Sequence, residues 1–267
     1  MGVIMKVTYF PGCTLKNKAR DLDEYGRKSA EVLGITLEEP KAWQCCGGVF
    51  TTANDEIATK LSSVRLLRSA KDADQPLVTV CSACHNVVKQ TNHAMKNDIV
   101  FRDRVNRYMA EETPYNGETT VYHYLELLRD VVGFSNVAMA VKKPLAGKKI
   151  GAYYGCLLLR PGKVLGMDDP ENPRIIEDLI VALGGEPVIY ARRNECCGGY
   201  VSAESPALAE KNSGKVIDNA AAAGAEMLVT ACPLCKYNLE KYSSKLPIVY
   251  FTEILAEALG IKEEVNE

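Results

Sequence analysis

The sequence lacks several features that would place it in common protein classes. It has no basic excess, with 32 Lys and Arg against 34 Asp and Glu, which argues against a nucleic-acid-binding protein. We find no apolar run approaching the roughly 18 residues that cross a membrane and no secretory signal pattern. We therefore expect a cytoplasmic protein without a membrane span. Disorder is excluded because 47% of the residues are hydrophobic, enough for a sizeable core.

Two motifs for electron-carrying cofactors are also missing. The sequence has no Cys-x2-Cys-x2-Cys-x3-Cys run, which would indicate a ferredoxin-type cubane cluster. It has no Gly-x-Gly-x-x-Gly at the start of a predicted helix, so nothing indicates a dinucleotide site for a flavin or a nicotinamide. If the protein handles electrons, we expect a partner protein to deliver them.

What the sequence does have is ten cysteines, which fall into a repeat. The first half contains Cys13, Cys45-Cys46-Gly47-Gly48 and Cys81-Ser82-Ala83-Cys84. The second half contains Cys156, Cys196-Cys197-Gly198-Gly199 and Cys232-Pro233-Leu234-Cys235. Five cysteines per half account for all ten. Internal similarity of this kind predicts two related lobes, which we place at residues 1–140 and 149–267.

The segments between the cysteines alternate between strand-like and helical patterns. Lys6–Phe10 is a predicted strand, and Asp21–Leu33 carries apolar residues at helical spacing. The second half repeats this order from the strand-like Lys149–Tyr154 to Met227–Thr230. The alternation predicts an α/β fold of two pseudo-symmetric, Rossmann-like βαβ lobes with mostly parallel sheets, joined by a linker at 133–148. Nearly every cysteine then lies just past the carboxyl end of a strand, where open α/β sheets bind ligands.

Three kinds of site compete for the five thiols of each half. Structural zinc takes four tetrahedral ligands, commonly from two Cys-x-x-Cys pairs, whereas each half has one such pair and a surplus thiol. Disulfides fit the even count but not a reducing compartment. Iron–sulfur clusters fit best because thiolates are the ligands that they take, although a cubane needs only four. The glycines Gly47, Gly48, Gly198 and Gly199 would let the backbone approach an inorganic core.

The complete cysteine pattern resembles the tandem cysteine-rich CCG family, which includes the B subunits of heterodisulfide reductases. The resemblance extends over most of the chain and all ten cysteines. It implies two non-cubane [4Fe–4S] clusters, one in each half. The first would be held by Cys13, Cys45, Cys46, Cys81 and Cys84. The second would be held by Cys156, Cys196, Cys197, Cys232 and Cys235.

The resemblance also implies an activity, the reductive cleavage of a disulfide that lies between the two clusters. In a methanogen the substrate would be the mixed disulfide of coenzyme M and coenzyme B. Many methanogen B subunits have Pro after the first Cys-Cys pair where this chain has Gly47, which weakens the case for that substrate. An alternative is a non-catalytic electron-transfer subunit of a bacterial heterodisulfide-reductase-like complex. A third is the iron–sulfur subunit of a lactate- or glycolate-oxidising complex, although such subunits usually carry an extra ferredoxin-like segment.

The family further implies partner proteins that feed electrons to this chain. One would be the small ferredoxin-like subunit of a heterodisulfide reductase complex. The other would be its large flavin-containing subunit, which bifurcates electrons. A hydrogenase, a formate dehydrogenase or another redox module would complete such a complex.

A few residues beyond the cysteines are further candidates. His123 lies in a His-x-x-Glu stretch similar to one in the family's B subunits, and it is a candidate proton donor to a product thiolate. The alternative is a histidine with a structural hydrogen bond. Lys16 and Arg160 follow equivalent cysteines and are candidates for binding anionic substrate groups, although such side chains are more often simply solvated. His85, directly after Cys84, is a candidate hydrogen-bond donor beside the first cluster.

Overall fold

The structure is a computed structural model of the chain, and it describes residues 5–48 and 57–262. Eight strands lie in these ranges. They are β1 Met5–Phe10, β2 Ile35–Glu38, β3 Leu77–Thr79, β4 Val121–His123, β5 Lys149–Tyr153, β6 Glu186–Val188, β7 Met227–Thr230 and β8 Ile248–Tyr250. They form two four-stranded sheets of order β2-β1-β3-β4 and β6-β5-β7-β8, and all of the described pairings are parallel.

Helices connect the strands in both halves. They are α1 Gly12–Asn17, α2 Arg20–Val32, α3 Ala58–Asp72, α4 Ser82–Asn97, α5 Ile99–Tyr108, α6 Tyr124–Glu126, α7 Phe134–Ala140, α8 Gly162–Leu165, α9 Ile175–Ala182, α10 Pro206–Ala222, α11 Pro233–Tyr242 and α12 Phe251–Ala258. A π-helix over Leu127–Val132 follows α6, and a 3-10 turn covers Gly199–Val201. The two equivalent strand orders confirm the predicted α/β fold of two Rossmann-like lobes.

The strand–helix junctions that carry the paired cysteines follow from local sequence. β3 and β7 are short apolar strands, and Val78 and Val229 at their centres have no exposed surface. Cys81 and Cys232 end these junctions as the N-cap residues of α4 and α11. Pro233 begins α11 because the first helical position needs no backbone N–H donor. The second cysteine of each pair therefore lies in the first turn of a helix.

The two halves exchange their last helices. α12 of the second half packs on α2 of the first half, where Thr252 Oγ1 donates to the Leu22 carbonyl at 2.8 Å. In the opposite direction, α7 packs on α9 of the second half. α7 lies within the predicted linker at 133–148, so part of that stretch is a helix. A continuous group of buried apolar residues consequently runs through both halves, and the lobe boundaries at 1–140 and 149–267 stay a prediction.

Candidate functional site

The five cysteines of the first half come together at the carboxyl edge of their sheet. Cys45 Sγ lies 3.6 Å from Cys13 Sγ, and Cys46 Sγ lies 3.5 Å from Cys84 Sγ. Side-chain hydrogen bonds also join Cys45 to Cys46 and Cys81 to Cys84. The five thiols therefore form one contiguous group, which we call the N-terminal set.

The cysteines of the second half form an equivalent C-terminal set. Its members are Cys156, Cys196, Cys197, Cys232 and Cys235. The Sγ atoms of Cys197 and Cys235 are 3.5 Å apart, and side-chain hydrogen bonds connect the other members to them. All ten cysteines are free, since these separations far exceed the roughly 2.05 Å of a disulfide bond. The structure thus brings together the five cysteines predicted for each half, while their role as metal ligands stays a prediction.

Hydrogen bonds within each set favour a thiolate. Bonds with Cys45 and Cys84 lower the pKa of Cys46 to about 3. In the C-terminal set, bonds with Cys156 and Cys197 lower the pKa of Cys196 to about 2. The thiolate is the form of cysteine that binds metals. In each set the hydrogen bonds therefore favour the thiolate form of one cysteine and raise the pKa values of the cysteines bonded to it.

A glycine in each half stands where the backbone passes closest to a sulfur atom. A Cβ atom on Gly12 would lie 2.7 Å from Cys84 Sγ, and the φ angle of Gly12 is +77°. A Cβ atom on Gly155, its equivalent, would lie 3.3 Å from Cys235 Sγ. Both positions exclude a side chain because the space that it needs is already occupied by a thiol.

The four glycines of the Cys-Cys-Gly-Gly segments divide into two roles. Gly47 and Gly198 adopt φ angles of +75° and +82°, a conformation that glycine alone adopts without strain. Cβ atoms on Gly48 and Gly199 would instead lie 3.4 Å from the nearest cysteine Sγ. The segments therefore turn sharply and keep the backbone against the thiols, while the role of these glycines beside an inorganic core stays a prediction.

The donor set fits an iron–sulfur cluster better than a single metal ion. Within residues 5–48 and 57–262, no group of three or more His, Cys, Asp or Glu side chains is arranged to hold one ion. Five thiolate donors exceed the four that structural zinc takes. They match the ligand type of iron–sulfur clusters, and the bare backbone at the glycines leaves the approach to the sulfurs clear.

The cavities beside the two sets differ greatly in size. A cavity of about 690 Å³ adjoins all five thiols of the N-terminal set, with Leu22 and Leu234 among its apolar walls and Lys18 and Lys236 beside them. The pocket at the C-terminal set holds only about 10 Å³ and is lined by Tyr200 and, again, by Leu234. Of these two cavities, as the described residues form them, the one at the N-terminal set has room for a molecule much larger than water.

Residues next to one set contact residues next to the other. Tyr200, in the second half, donates its hydroxyl hydrogen bond to the Gly48 carbonyl beside the N-terminal set. Ser82, which follows Cys81, donates from its backbone N–H and its hydroxyl to the Ala231 carbonyl, at 3.1 and 2.7 Å. The two sets consequently lie on either side of a direct contact between the halves.

His123 lies away from both cavities. Its side chain is fully buried, its Nδ1 accepts from the Leu125 N–H at 3.2 Å, and its backbone N–H donates to Glu126 at 2.7 Å. Burial, followed by the positive charge of Lys89, lowers the pKa of His123 to about 3. The imidazole is therefore neutral and caps a helix, and its role as a proton donor stays a prediction.

His85 belongs to the same buried group as His123. Its Nε2 lies 3.4 Å from Glu126 Oε2, and its Nδ1 lies 3.1 Å from the Thr79 hydroxyl. Burial lowers its pKa well below the ordinary value. The ring of His85 is thus held through Nδ1 by the Thr79 hydroxyl, directly behind Cys84, and its role as a donor beside a cluster stays a prediction.

The two predicted substrate-binding cations also lie outside the lining of both cavities. Lys16 pairs with Glu39 at 2.9 Å, and Arg160 pairs with Glu171 at 2.8 Å. Their role in binding a substrate stays a prediction.

Two lysines that do line the larger cavity escaped the sequence analysis. Lys236 directly follows Cys235, and Lys18 lies at the end of the short helix that begins beside Cys13. Their closeness to predicted ligands was the only available signal.

Tyr250 is the pseudo-symmetric equivalent of His123. In the sheet registers, His123 pairs with Thr79 and Tyr250 pairs with Thr230, at the last position of equivalent strands. Each begins a helix with a capping box completed by a glutamate three residues later. The matching His-x-x-Glu and Tyr-x-x-Glu segments are a sequence signal that would have paired the two residues.

The fold and the two thiol sets define a tandem cysteine-rich protein, and the sequence comparison agrees. Residues 7–89 and 150–240 each match the CCG cysteine-rich domain family, so the chain belongs to that family. The predicted resemblance is therefore confirmed.

Two relatives are similar along nearly the whole chain. The 8-methylmenaquinol:fumarate reductase membrane anchor subunit of Wolinella succinogenes is 32% identical over 264 residues, covering 95% of this chain and 92% of that protein. The B subunit of the ferredoxin/F(420)H(2)-dependent CoB-CoM heterodisulfide reductase of Methanosarcina acetivorans is 25% identical over 276 residues, covering 97% and 91%. The chain is thus similar to subunits of two kinds of redox enzyme.

A solved structure shares the fold. The crystal structure of a hypothetical protein from Helicobacter pylori superposes with a TM-score of 0.76 at 11% identity, covering 99% of this chain. This chain spans about half the length of that structure, 51%. Among the helices of the described ranges, none combines the length and the apolar character needed to span a bilayer.

Proposed function

We propose that the chain is the iron–sulfur subunit of a heterodisulfide-reductase-like complex and cleaves a disulfide reductively. Each thiol set would hold one non-cubane [4Fe–4S] cluster. The observation that carries the proposal is the gathering of ten free thiols into two five-membered sets on either side of one contact between the halves. When bound, the clusters would supply the two electrons and the iron that captures sulfur.

The chain's own residues would bind and orient the substrate. Cleavage of a disulfide consumes two electrons and two protons and releases two thiols. The cavity at the N-terminal set would admit the substrate along the apolar walls at Leu22 and Leu234. Lys18, in the same lining, would attract anionic groups of a substrate such as a sulfonate or a phosphate, whereas the ammonium of Lys236 is paired with Glu240 and donates to the Ile248 carbonyl.

The electrons would come from partner proteins, because the sequence carries no motif for a nicotinamide or a flavin. We propose that role for the ferredoxin-like and flavin-containing subunits that accompany such chains in the heterodisulfide reductase family. A hydrogenase or formate dehydrogenase module and a cytoplasmic location belong to the same proposal.

A single-turnover reaction tests the disulfide chemistry. The full chain is reconstituted with iron and sulfide, reduced with dithionite, freed of reductant and mixed with the coenzyme M–coenzyme B disulfide. Both thiols should appear, at up to one pair per chain, while the cluster absorbance returns to that of the oxidised protein. Lys18→Gln should lower the apparent affinity for this anionic disulfide, whereas Lys215→Gln, which is exposed on α10 and outside the lining of both cavities, should leave it unchanged. Absence of both thiols from a fully loaded protein would contradict the proposal.

A second candidate function is electron transfer without disulfide chemistry. Two observations favour it. The 32% identical relative is a fumarate reductase subunit, and among the described residues the cavity at the N-terminal set is far larger than the pocket at the C-terminal set. A substrate bound there would not reach both sets equally. We expect a chain of this kind to be reoxidised by a water-soluble menaquinone analogue and to leave the disulfide intact. The same reduced protein, divided between the two oxidants, distinguishes the candidates.

A further inference from the structure

The hydroxyl of Tyr250 lies between the two thiol sets. Tyr250 is fully buried, and its Oη lies 2.7 Å from the Val80 carbonyl oxygen and 2.9 Å from the Ala231 carbonyl oxygen. Val80 immediately precedes Cys81, and Ala231 immediately precedes Cys232. One phenol therefore shares its single proton between the backbones of two cysteine-bearing junctions, one from each set.

Ser82 reinforces this link from the other side. Its N–H and its hydroxyl both donate to the Ala231 carbonyl, and the side chain is buried. Three donors thus converge on one carbonyl oxygen directly before Cys232. Hydrogen bonds in such a buried, water-free place are stronger than equivalent surface bonds and hold their groups in one arrangement.

The residues at the equivalent positions, Pro233 and His123, do not make a second link of this kind. Pro233 takes the place of Ser82 in the second half, and proline has neither an N–H nor a hydroxyl to donate. His123 takes the place of Tyr250, and its Nδ1 is engaged by the Leu125 N–H. Tyr250 and Ser82 therefore carry the link through the Val80 and Ala231 carbonyls, while Tyr200 and Asn86 make separate hydrogen bonds between the halves, to Gly48 and to Leu157.

We propose that Tyr250 and Ser82 couple the two thiol sets, so that cluster assembly in one set favours assembly in the other. The inference rests on the proposed function in that it takes each set to hold an iron–sulfur cluster. A cluster bound at one set would fix the strand–helix junction that carries its cysteines. The hydrogen bonds of Tyr250 and Ser82 to the Val80 and Ala231 carbonyls would then hold the junction of the other set in place. Because coupling between two sites is reciprocal, either set can be loaded first. Tyr250 and Ser82 are positioning residues in this account, since they act through the backbone of the ligands.

The loading distribution of the full chain tests this coupling. The apoprotein is equilibrated with limiting iron and sulfide, and native mass spectrometry counts chains with no, one or two clusters. Coupling makes singly loaded chains rarer than independent filling would. Tyr250→Phe keeps the ring and removes the hydroxyl, and it should raise the ratio of singly to doubly loaded chains by about fivefold, the worth of one buried hydrogen bond. Ser82→Ala should shift the ratio in the same direction, and it provides the test if Tyr250→Phe does not fold.

Two matched variants separate coupling from a general loss of stability. Tyr124→Phe removes another fully buried phenol hydroxyl, which donates to the Gly26 carbonyl at 2.9 Å. Thr252→Val removes a hydrogen bond that also crosses between the halves. Both variants should keep the wild-type distribution.

The possible results have separate meanings. Unchanged ratios in Tyr250→Phe and Ser82→Ala overturn the coupling, as do equal shifts in the two matched variants. A wild-type chain that takes up no iron contradicts the proposed function instead.

Discussion

At the scale of single residues, the absence of a side chain at Gly12 leaves the space that the Cys84 thiol occupies in the N-terminal set. Gly12→Ala places a methyl group 2.7 Å from Cys84 Sγ and imposes φ +77° on a residue with a side chain. We expect the free energy of unfolding to fall by about 1–2 kcal/mol from the backbone alone. The displaced Cys84 thiol should in addition lower the iron content of the reconstituted chain. Urea unfolding and iron analysis measure the two effects.

Gly34→Ala is the control for this substitution. Gly34 has the same φ of +77°, but nothing lies within 4 Å of its added Cβ. It should show the backbone effect while binding iron like the wild type. Equal iron content in the two variants would show that the contact at Gly12 has no bearing on the thiol set.

The lowered pKa of the buried His123 should make the folded chain less stable in acid. Its pKa is about 3 in the folded chain and 6.5 ordinarily, so between these values the unfolded chain binds a proton that the folded chain does not. Stability is therefore lost as the pH falls below 6.5, by about 2 kcal/mol at pH 5. Burial raises the pKa of Glu126, and this shift adds stability as the pH falls, opposite to the effect of His123. Both proteins in the comparison therefore keep Glu126.

Urea unfolding of wild type and His123→Gln at pH 7 and pH 5 isolates this effect. The wild type should lose more stability on acidification than the variant. His93→Gln, which alters an exposed histidine, should behave as the wild type does. The same acid loss in His123→Gln would show that another group carries it.

The sequence predicted which thiols gather but not what surrounds them. A repeated cysteine pattern after predicted strands was sufficient, because parallel strands end at one edge of a sheet. The partners of Lys16 and Arg160 were not predictable in the same way. Glu39 and Glu171 lie on loop segments whose course is set by tertiary contacts rather than by periodicity.

At the scale of elements, the sequence patterns predicted α2, β1 and β7 to within a residue or so at their ends. Helix α2 buries one face, which fixes its periodicity, and β1 and β7 are short apolar runs in which consecutive residues are buried. The packing of α7 and α12 on the opposite halves could not be predicted from the sequence. The apolar residues Phe251 and Leu255 require a partner surface, but nothing in their spacing selects helix α2 of the other half.

This exchange predicts that the halves do not fold alone. A fragment of residues 1–148 leaves α2 without its cover from α12, so we expect shallow, non-cooperative urea unfolding. Co-expression with residues 149–267 should restore a cooperative transition and a stable pair that elutes together. Cooperative unfolding of the isolated fragment at wild-type midpoint would mean that the two lobes are independent domains.

At the scale of the whole molecule, a duplicated fold carries two thiol sets in unequal surroundings. The shared core and the Tyr250 link hold the sets together, whereas the two cavities of the described residues differ, the one at the N-terminal set being large enough for an organic molecule.

The central claim is that each five-thiol set holds an opened four-iron cluster. Mössbauer spectroscopy of the anaerobically reconstituted full chain, together with iron, sulfide and zinc analysis, tests it most directly. The account predicts two [4Fe–4S] clusters per chain, with iron sites that differ from one another more than the iron sites of a cubane do. It also predicts that Cys197→Ser loses at least half of the iron. Spectra of two ordinary cubanes, or one zinc ion per half in place of iron, would contradict it.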